Sequence, residues 1–180
     1  DIGALKEVHR AEPIMFTGKG EYKTYGANGN LTAPFLPIGN NEHQVRLNSS
    51  THDMDGITQK NSVEALENTE RLKNKMERNI DSYTYFDYNQ ADRTDTVILT
   101  YGISAEASRE AVSILKANNE LVSLLVMKTL LPVPSRIYEL LAPYQHIVIV
   151  EENIVGLLRE LLYGNTQDER LHGVNKIGNM

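Results

Sequence analysis

Three apolar runs, TVILTY (96–101), LVSLLVM (121–127) and HIVIVE (146–151), do most to limit the folds open to this chain. Each is dominated by β-branched and long aliphatic residues with little alternation of apolar and polar positions. A strand of that kind needs an apolar cover on both faces. Stretches with helical spacing lie between the runs. One starts at Ser104, carries Ala107, Ala111, Ile114 and Leu115 on one face and stops at Asn118-Asn119. Another starts at Ser135 and carries Ile137, Leu140 and Leu141, and a third runs from Gly156 to Leu162. Ser104 and Ser135 stand where N-caps are expected. HGVNKI (172–177) reads as a short fourth strand. Strands alternating with helices predict an α/β domain, a parallel sheet covered on both sides with right-handed crossovers.

The upstream sequence is of another kind. Residues 1–60 hold GKGEYKTYGANGN and TAPFLPIGNNE, rich in Gly, Asn and Pro, and show little periodicity. So long an irregular run is expected to be the tail of a preceding domain or a linker wrapped on a partner. Residues 61–92 are expected to form a helix and a connector, and 93–180 the α/β domain. Asn61 is placed to cap the helix, with Glu64 three residues on. Val63, Leu66, Leu72, Met76 and Ile80 mark its apolar side. Acids (Glu64, Glu67, Glu70) precede bases (Arg71, Lys73, Lys75, Arg78), an order that suits the helix dipole. DSYTYFDYNQADRTD (81–95) reads as an aromatic, polar connector.

Composition removes several classes of function. A net charge of −6 argues against a nucleic-acid surface. No apolar run reaches the 18 or so residues of a membrane span, and Asp1-Ile2-Gly3 lacks a signal pattern, so a cytoplasmic protein is expected. With 0 cysteines there is no disulfide and no thiolate-held zinc or iron–sulfur cluster in this chain. A start at Asp1 rather than Met suggests a piece of a longer protein.

Few residues offer chemistry. THDMDGI (51–57) has half a calcium loop, but with Gly56 in the sixth position the twelfth is Ser62 rather than Glu, so an Asx-type turn is expected. YGISAEAS (101–108), with Gly102 and Ser104, lacks the dinucleotide spacing and reads as a capped helix start, although such a terminus can hold an anion. The five histidines, His9, His43, His52, His146 and His172, have no ligand spacing. That leaves Glu151, Glu152 and Asn153, at the carboxyl end of a strand, where open α/β sheets bind ligands. Paired carboxylates can act as acid and base. Consecutive strand residues, however, point to opposite faces, so Glu151 and Glu152 should not share a site. One acid with Asn153 is expected to cap the next helix or pair across an interface.

The order of the pieces carries a resemblance. TLLPVP, with Pro132 and Pro134, and EENIVG, with Glu151, Asn153 and Gly156, follow the first strand-Gly-helix unit in the order found in the second domain of the α chain of 2-oxoacid:ferredoxin oxidoreductases. HGVNKIGNM resembles that family's N-K-I-x-G segment with its glycine displaced, EYKTYGANGNLTAPFLPIG its tyrosine-rich stretch and proline-glycine turn, and THDMDGI its E-H-D-x-x-G segment. The resemblance runs from about Glu21 to Gly178. Leu157 stands where the family often has Gln, and L-P-I-G replaces P-G.

The resemblance implies a transketolase C-terminal-like fold, a three-layer α/β/α sandwich with a mostly parallel sheet. It implies a place in a complex that uses thiamine diphosphate and magnesium to decarboxylate a 2-oxoacid, forms an acyl-CoA from coenzyme A, and passes electrons through an iron–sulfur cluster to ferredoxin. The threonine-bearing Y-P-I-T-P segment is absent, as is the G-D-G…N diphosphate–magnesium motif, which belongs to the β chain. The segment is therefore expected to hold no cofactor and to be non-catalytic alone. Its expected partner is the β subunit, with a homo-oligomer also open. Gly102, Ser104, Pro132, Pro134, Glu151, Glu152, Asn153 and Gly156 are then loop or interface residues. Two rivals share the α/β pattern. The C-terminal domain of a 2-oxoacid dehydrogenase β chain, or of another thiamine enzyme, would usually carry Pro-x-Asp where this chain has Pro132-Val133-Pro134. A flavodoxin-like binding module would need a phosphate loop in place of YGISAEAS.

Overall fold

In the computed structural model, which describes residues 12–27, 29 and 31–178, the apolar runs become strands of one sheet. The strands are β1 (Phe86–Asn89), β2 (Thr96–Tyr101), β3 (Ser123–Met127), β4 (His146–Glu151) and β5 (Leu171–Asn175). The helices are α1 (Val63–Arg78), α2 (Ser104–Ala117), α3 (Ser135–Leu141) and α4 (Leu157–Tyr163). The sheet order is β1-β3-β2-β4-β5. β2 to β5 run parallel and β1 closes one edge antiparallel to β3.

Burial on both faces follows the strand sequences. Val97, Leu99, Leu125, Met127, Ile147 and Ile149 pack on one side under Ile137, Leu141, Leu158 and Leu162 of α3 and α4. Ile98, Leu124 and Val126 pack on the other side under Ala105, with Val112 of α2 against them. Each fully buried aliphatic side chain contributes about 1.5–3 kcal/mol. The result is an α/β/α arrangement around a mostly parallel sheet.

Several local expectations shift. DSYTYFDYNQADRTD is not all connector, because Phe86–Asn89 is a strand. Its alternation sends Phe86 and Tyr88 to the core of α3 and α4 and Asp87 to the other side. There the Asp87 carboxylate meets Lys128 Nζ at 2.6 Å and Arg109 Nη2 at 2.9 Å. Thr129 ties the strand's start down, with Tyr85 N donating to its Oγ1 at 3.1 Å and Oγ1 donating to the Tyr83 carbonyl at 2.8 Å. On α2 the buried row is Ala105 and Ser108 rather than Ala107 and Ala111, and Ile114 is 57% exposed. Small residues lie against the sheet because they let the helix come close. The Asn118-Asn119 stop is a Schellman motif: Asn119 N donates to Lys116 O, Glu120 N to Leu115 O, and Asn119 takes φ +63°.

The chain divides into two compact units, Asp1–Arg78 and Asn79–Met180, and the sheet belongs to the second. The first unit has isolated bridges, Met15 with Phe35 and His52 with Thr58, and one long helix, α1. Asn28 and Asn30 of the tyrosine-rich stretch, His9, and the last two residues of HGVNKIGNM lie outside the described residues. The cap of α1 is Ser62, not Asn61: Ala65 N donates to Ser62 Oγ at 3.1 Å, while Asn61 turns at φ +60°. Glu64 accepts instead from Met54 N.

The expected apolar side of α1 stays open, with Val63 74% exposed, and Ala65 and Asn68 are the buried residues. This unit packs by hydrogen bonds more than by apolar contact. Arg71 donates to Asn68 Oδ1 through Nε and Nη2 and to the Leu31 carbonyl through Nη1. Asp53 accepts from Asp55 N and Ile57 N, which closes an Asx turn, and from Gln59 Nε2.

Two tests follow. A fragment of residues 79–180 should unfold cooperatively in urea, whereas one starting at Asp92 loses β1, bares the edge of β3 and should melt broadly. Equal cooperativity of the two would mean that β1 contributes nothing.

The second concerns acid. The ammonium of Lys128, then the guanidinium of Arg109, holds Asp87 below the ordinary carboxylate range. The guanidinium of Arg170 does the same for Asp168, and the Gln59 amide, then the Ile57 N–H, for Asp53. A depressed folded pKa means that the unfolded chain binds more protons. Their stabilisation is therefore present above the unfolded value, near 4, and is lost as pH falls through the folded values. Melting temperature should drop between about pH 4 and pH 2, and Asp87→Asn should flatten that drop.

Candidate functional site

Every parallel strand here ends at the same edge, where the following helix begins. The α4 end is built around the strand's last residue. Glu151 continues the alternation of Ile147 and Ile149, so its side chain enters the core side and is 1% exposed. Glu152 is exposed on the flank of an open groove of about 670 Å³ along α2, beside Ile103, Ser104 and Arg109. The two acids are therefore separated and form no dyad.

A helix begins with four N–H groups that its own carbonyls cannot reach. In α4 all four are accounted for. Gly156 N and Leu157 N donate to Asn153 Oδ1 at 2.8 and 3.2 Å, as does Val155 N at 3.2 Å. Leu158 N donates to Glu151 Oε2 at 2.7 Å and Arg159 N to Oε1 at 3.3 Å. Asn153 Nδ2 donates to Glu151 Oε2 at 2.7 Å, which fixes the amide's orientation. The first bond within the helix, Glu160 N to Gly156 O at 2.9 Å, follows directly. A carboxylate at this terminus also complements the positive end of the helix dipole.

Gly156 belongs to the same construction. Its φ is +79°, and a Cβ there would lie 3.4 Å from Asn175 Nδ2 and 3.6 Å from Glu151 Oε1. A Cβ would find ordinary contact there, and the positive φ is what favours glycine.

The other two loops are simpler. Gly102 turns at φ +58° and Ile103, not Ser104, is the residue before α2. Ser104 is the first helical residue, buried, and its carbonyl accepts from Ser108 Oγ at 2.9 Å. At the N-terminus of α2 the backbone takes two N–H groups, Ala105 N to Gly102 O and Glu106 N to Ile103 O. Ser135 is likewise inside α3, and Pro134, buried and extended, precedes it, with Ile137 N donating to its carbonyl at 3.1 Å. Helix starts of this kind need no hydroxyl, which is why the serines read as caps are not caps. The Leu131–Pro132 bond is cis.

Thus Glu151, Asn153 and Gly156 come together as one cap, Glu152, Ser104 and Gly102 lie near the α2 groove, and Pro132 and Pro134 shape a separate loop. Sequence reasoning missed the clamp of Asp87, Lys128 and Arg109, although the alternation in F-D-Y-N was there to signal it. Among the described residues no three His, Cys, Asp or Glu side chains converge as a metal site, and no helix is long and apolar enough to cross a membrane. With 0 cysteines in the sequence the edge offers no thiolate for an iron–sulfur cluster.

No protein-family model matches this chain, and no curated protein matches it in sequence. Among solved structures, 2-oxoglutarate:ferredoxin oxidoreductase from Magnetococcus marinus, with 2-oxoglutarate, coenzyme A and succinyl-CoA bound, is similar at a TM-score of 0.77 and 22% identity. The match covers 91% of this chain and 29% of that one, so the present chain spans less than a third of its neighbour's length. A split-gene transketolase, an inactive β4 tetramer, gives a TM-score of 0.39 and 20% identity, over 49% of this chain and 32% of that one. At these identities the first likeness establishes the α/β fold that the chain shares with an oxidoreductase.

Removing the buried carboxylate separates the two acids. Glu151→Ala leaves the N–H groups of Leu158 and Arg159 unpaired and should cost about 1–3 kcal/mol in urea unfolding. Glu152→Ala should stay within about 0.5 kcal/mol of the parent. Equal losses would contradict the cap.

Proposed function

We propose that this chain is a structural and assembly segment of the α chain of a 2-oxoacid:ferredoxin oxidoreductase, the part whose loops meet other parts of the complex. The observation that carries the reading is the extent of the structural likeness. At 91% coverage it takes in most of the first unit as well as the sheet, whereas a free-standing flavodoxin-like module would share the sheet alone. The order of TLLPVP, EENIVG and HGVNKI along the chain supports the same reading.

In this reading the thiamine chemistry, the electron path to ferredoxin and the coenzyme A reaction belong to other segments and to a β subunit, in the cytoplasm. The cap geometry agrees with a supporting role. Glu151 has its oxygens engaged by N–H donors and is shut from solvent, which turns it to the cap and away from the open edge. Glu152, the free acid, then contributes at a contact surface.

The test is the full-length gene product assembled with its partner subunit. It should reduce a ferredoxin-type dye with a 2-oxoacid and coenzyme A, and Glu152→Ala should keep turnover within about tenfold, or 1.4 kcal/mol of barrier. Loss of a general acid or base would lower it by about a hundredfold or more. A complex that assembles yet reduces the dye with no 2-oxoacid would overturn the proposal. By itself the 180-residue chain should give no saturable heat with thiamine diphosphate and magnesium.

A further inference from the structure

The helix on the α2 side of the sheet lies over β2 and β3 and leaves β4 and β5 partly open. Val148 and Val150 are half-buried there and Val174 is exposed. On this face His146 of β4 and His172 of β5 meet. Residue 172 is paired with Val148, so the two histidines are diagonal neighbours on adjoining parallel strands with their side chains on the same side. His146 Nδ1 lies 3.3 Å from His172 Nε2, the ring centroids are 5.4 Å apart, and both side chains are exposed.

We propose that His146 and His172 form a two-imidazole site for a borderline divalent cation of the zinc class. The spacing is the argument. Zinc–imidazole bonds of about 2.0–2.1 Å in tetrahedral geometry set the two nitrogens about 3.3–3.4 Å apart, so rotation of the rings in place brings both lone pairs onto one ion. Both rings stand on hydrogen-bonded strands, which hold that spacing before the ion arrives.

Which ring donates across this contact depends on the tautomer. Binding needs the lone pairs of both facing nitrogens, so each ring then carries its proton on the outward nitrogen. Water completes the coordination. The net charge of −6 favours a cation. Imidazole selects zinc, nickel or copper over magnesium.

The experiment is a Zn²⁺ titration of the full chain, followed by the ring ¹⁵N shifts of its histidines, with Mg²⁺ as the control. His146 Nδ1 and His172 Nε2 should move together and saturate at one equivalent. His146→Gln and His172→Gln, both at exposed positions, should each weaken binding at least tenfold while leaving the Zn²⁺-free melt unchanged. Absence of saturation, independent movement of the two rings, an equal response to Mg²⁺, or binding retained in both variants would overturn the site.

Discussion

A parallel sheet brings every strand to its end at one edge and starts every helix at that same edge. This constraint governs the rest of the second unit. Each helix arrives with four unpaired N–H groups, and the edge must satisfy them beside a buried core. The chain uses two methods. In the first turns of α2 and α3 the N–H groups of Ala105, Glu106 and Ile137 turn onto carbonyls of Gly102, Ile103 and Pro134. α4 follows a strand whose last side chain points inward, so its N–H groups are met by that side chain, Glu151, with Asn153. An apolar residue at 151 would extend the core but leave α4 uncapped. The acid at the end of an aliphatic strand is a consequence of where the helix starts.

The two units show different balances of the same forces. Around the sheet, burial is aliphatic on both faces and hydrogen bonding is mostly backbone. In the first unit the buried set includes His52, Asp53 and Asn68 beside Tyr22 and Ala65. Its loops are held by side chains reaching carbonyls and amides, such as Arg71 to Leu31 O, Tyr22 to Pro34 O and Asn48 to Gly56 O. Long irregular backbone keeps its polar groups satisfied only by such local partners. The unit buries little of its apolar surface by itself: Val63, Leu66, Leu72 and Met76 of α1 stay exposed, as do Phe35, Ile38 and Leu47.

That contrast explains what the sequence made legible. β2, β4 and α3 were readable because two-faced burial writes a continuous aliphatic run and a clear helical period. β1 was not, since an edge strand needs only one covered face and four residues, F-D-Y-N, carry too little period. The cap of α1 was misplaced by one residue because Asn61 and Ser62 are both good caps, and the choice fell to Asn61's left-handed backbone. The inward face of α2 was misjudged because hydrophobicity pointed to Ile114 and Leu115, whereas the sheet selects the small residues Ala105 and Ser108. At the edge, alternation correctly separated Glu151 from Glu152. It did not show that Glu151 reaches two backbone N–H groups seven and eight residues ahead, because that depends on where α4 starts in space.

The same alternation bears on function. In an open α/β sheet, the carboxyl edge is where ligands usually bind, because helix N-termini offer N–H groups there. Here those of α4 are already taken by Glu151 and Asn153, while main-chain carbonyls take those of Ala105 and Glu106 at α2 and of Ile137 at α3. An anion arriving at α4 would have to displace a buried carboxylate held by three donors, Asn153, Leu158 and Arg159. The cap and an anion site are alternatives built from the same N–H groups, and this sequence has chosen the cap. Outward at the edge, beside the exposed Glu152, stand the aliphatic side chains of Ile103, Leu131, Ile154 and Val155. Such a rim suits contact with other polypeptide more than it suits a charged substrate.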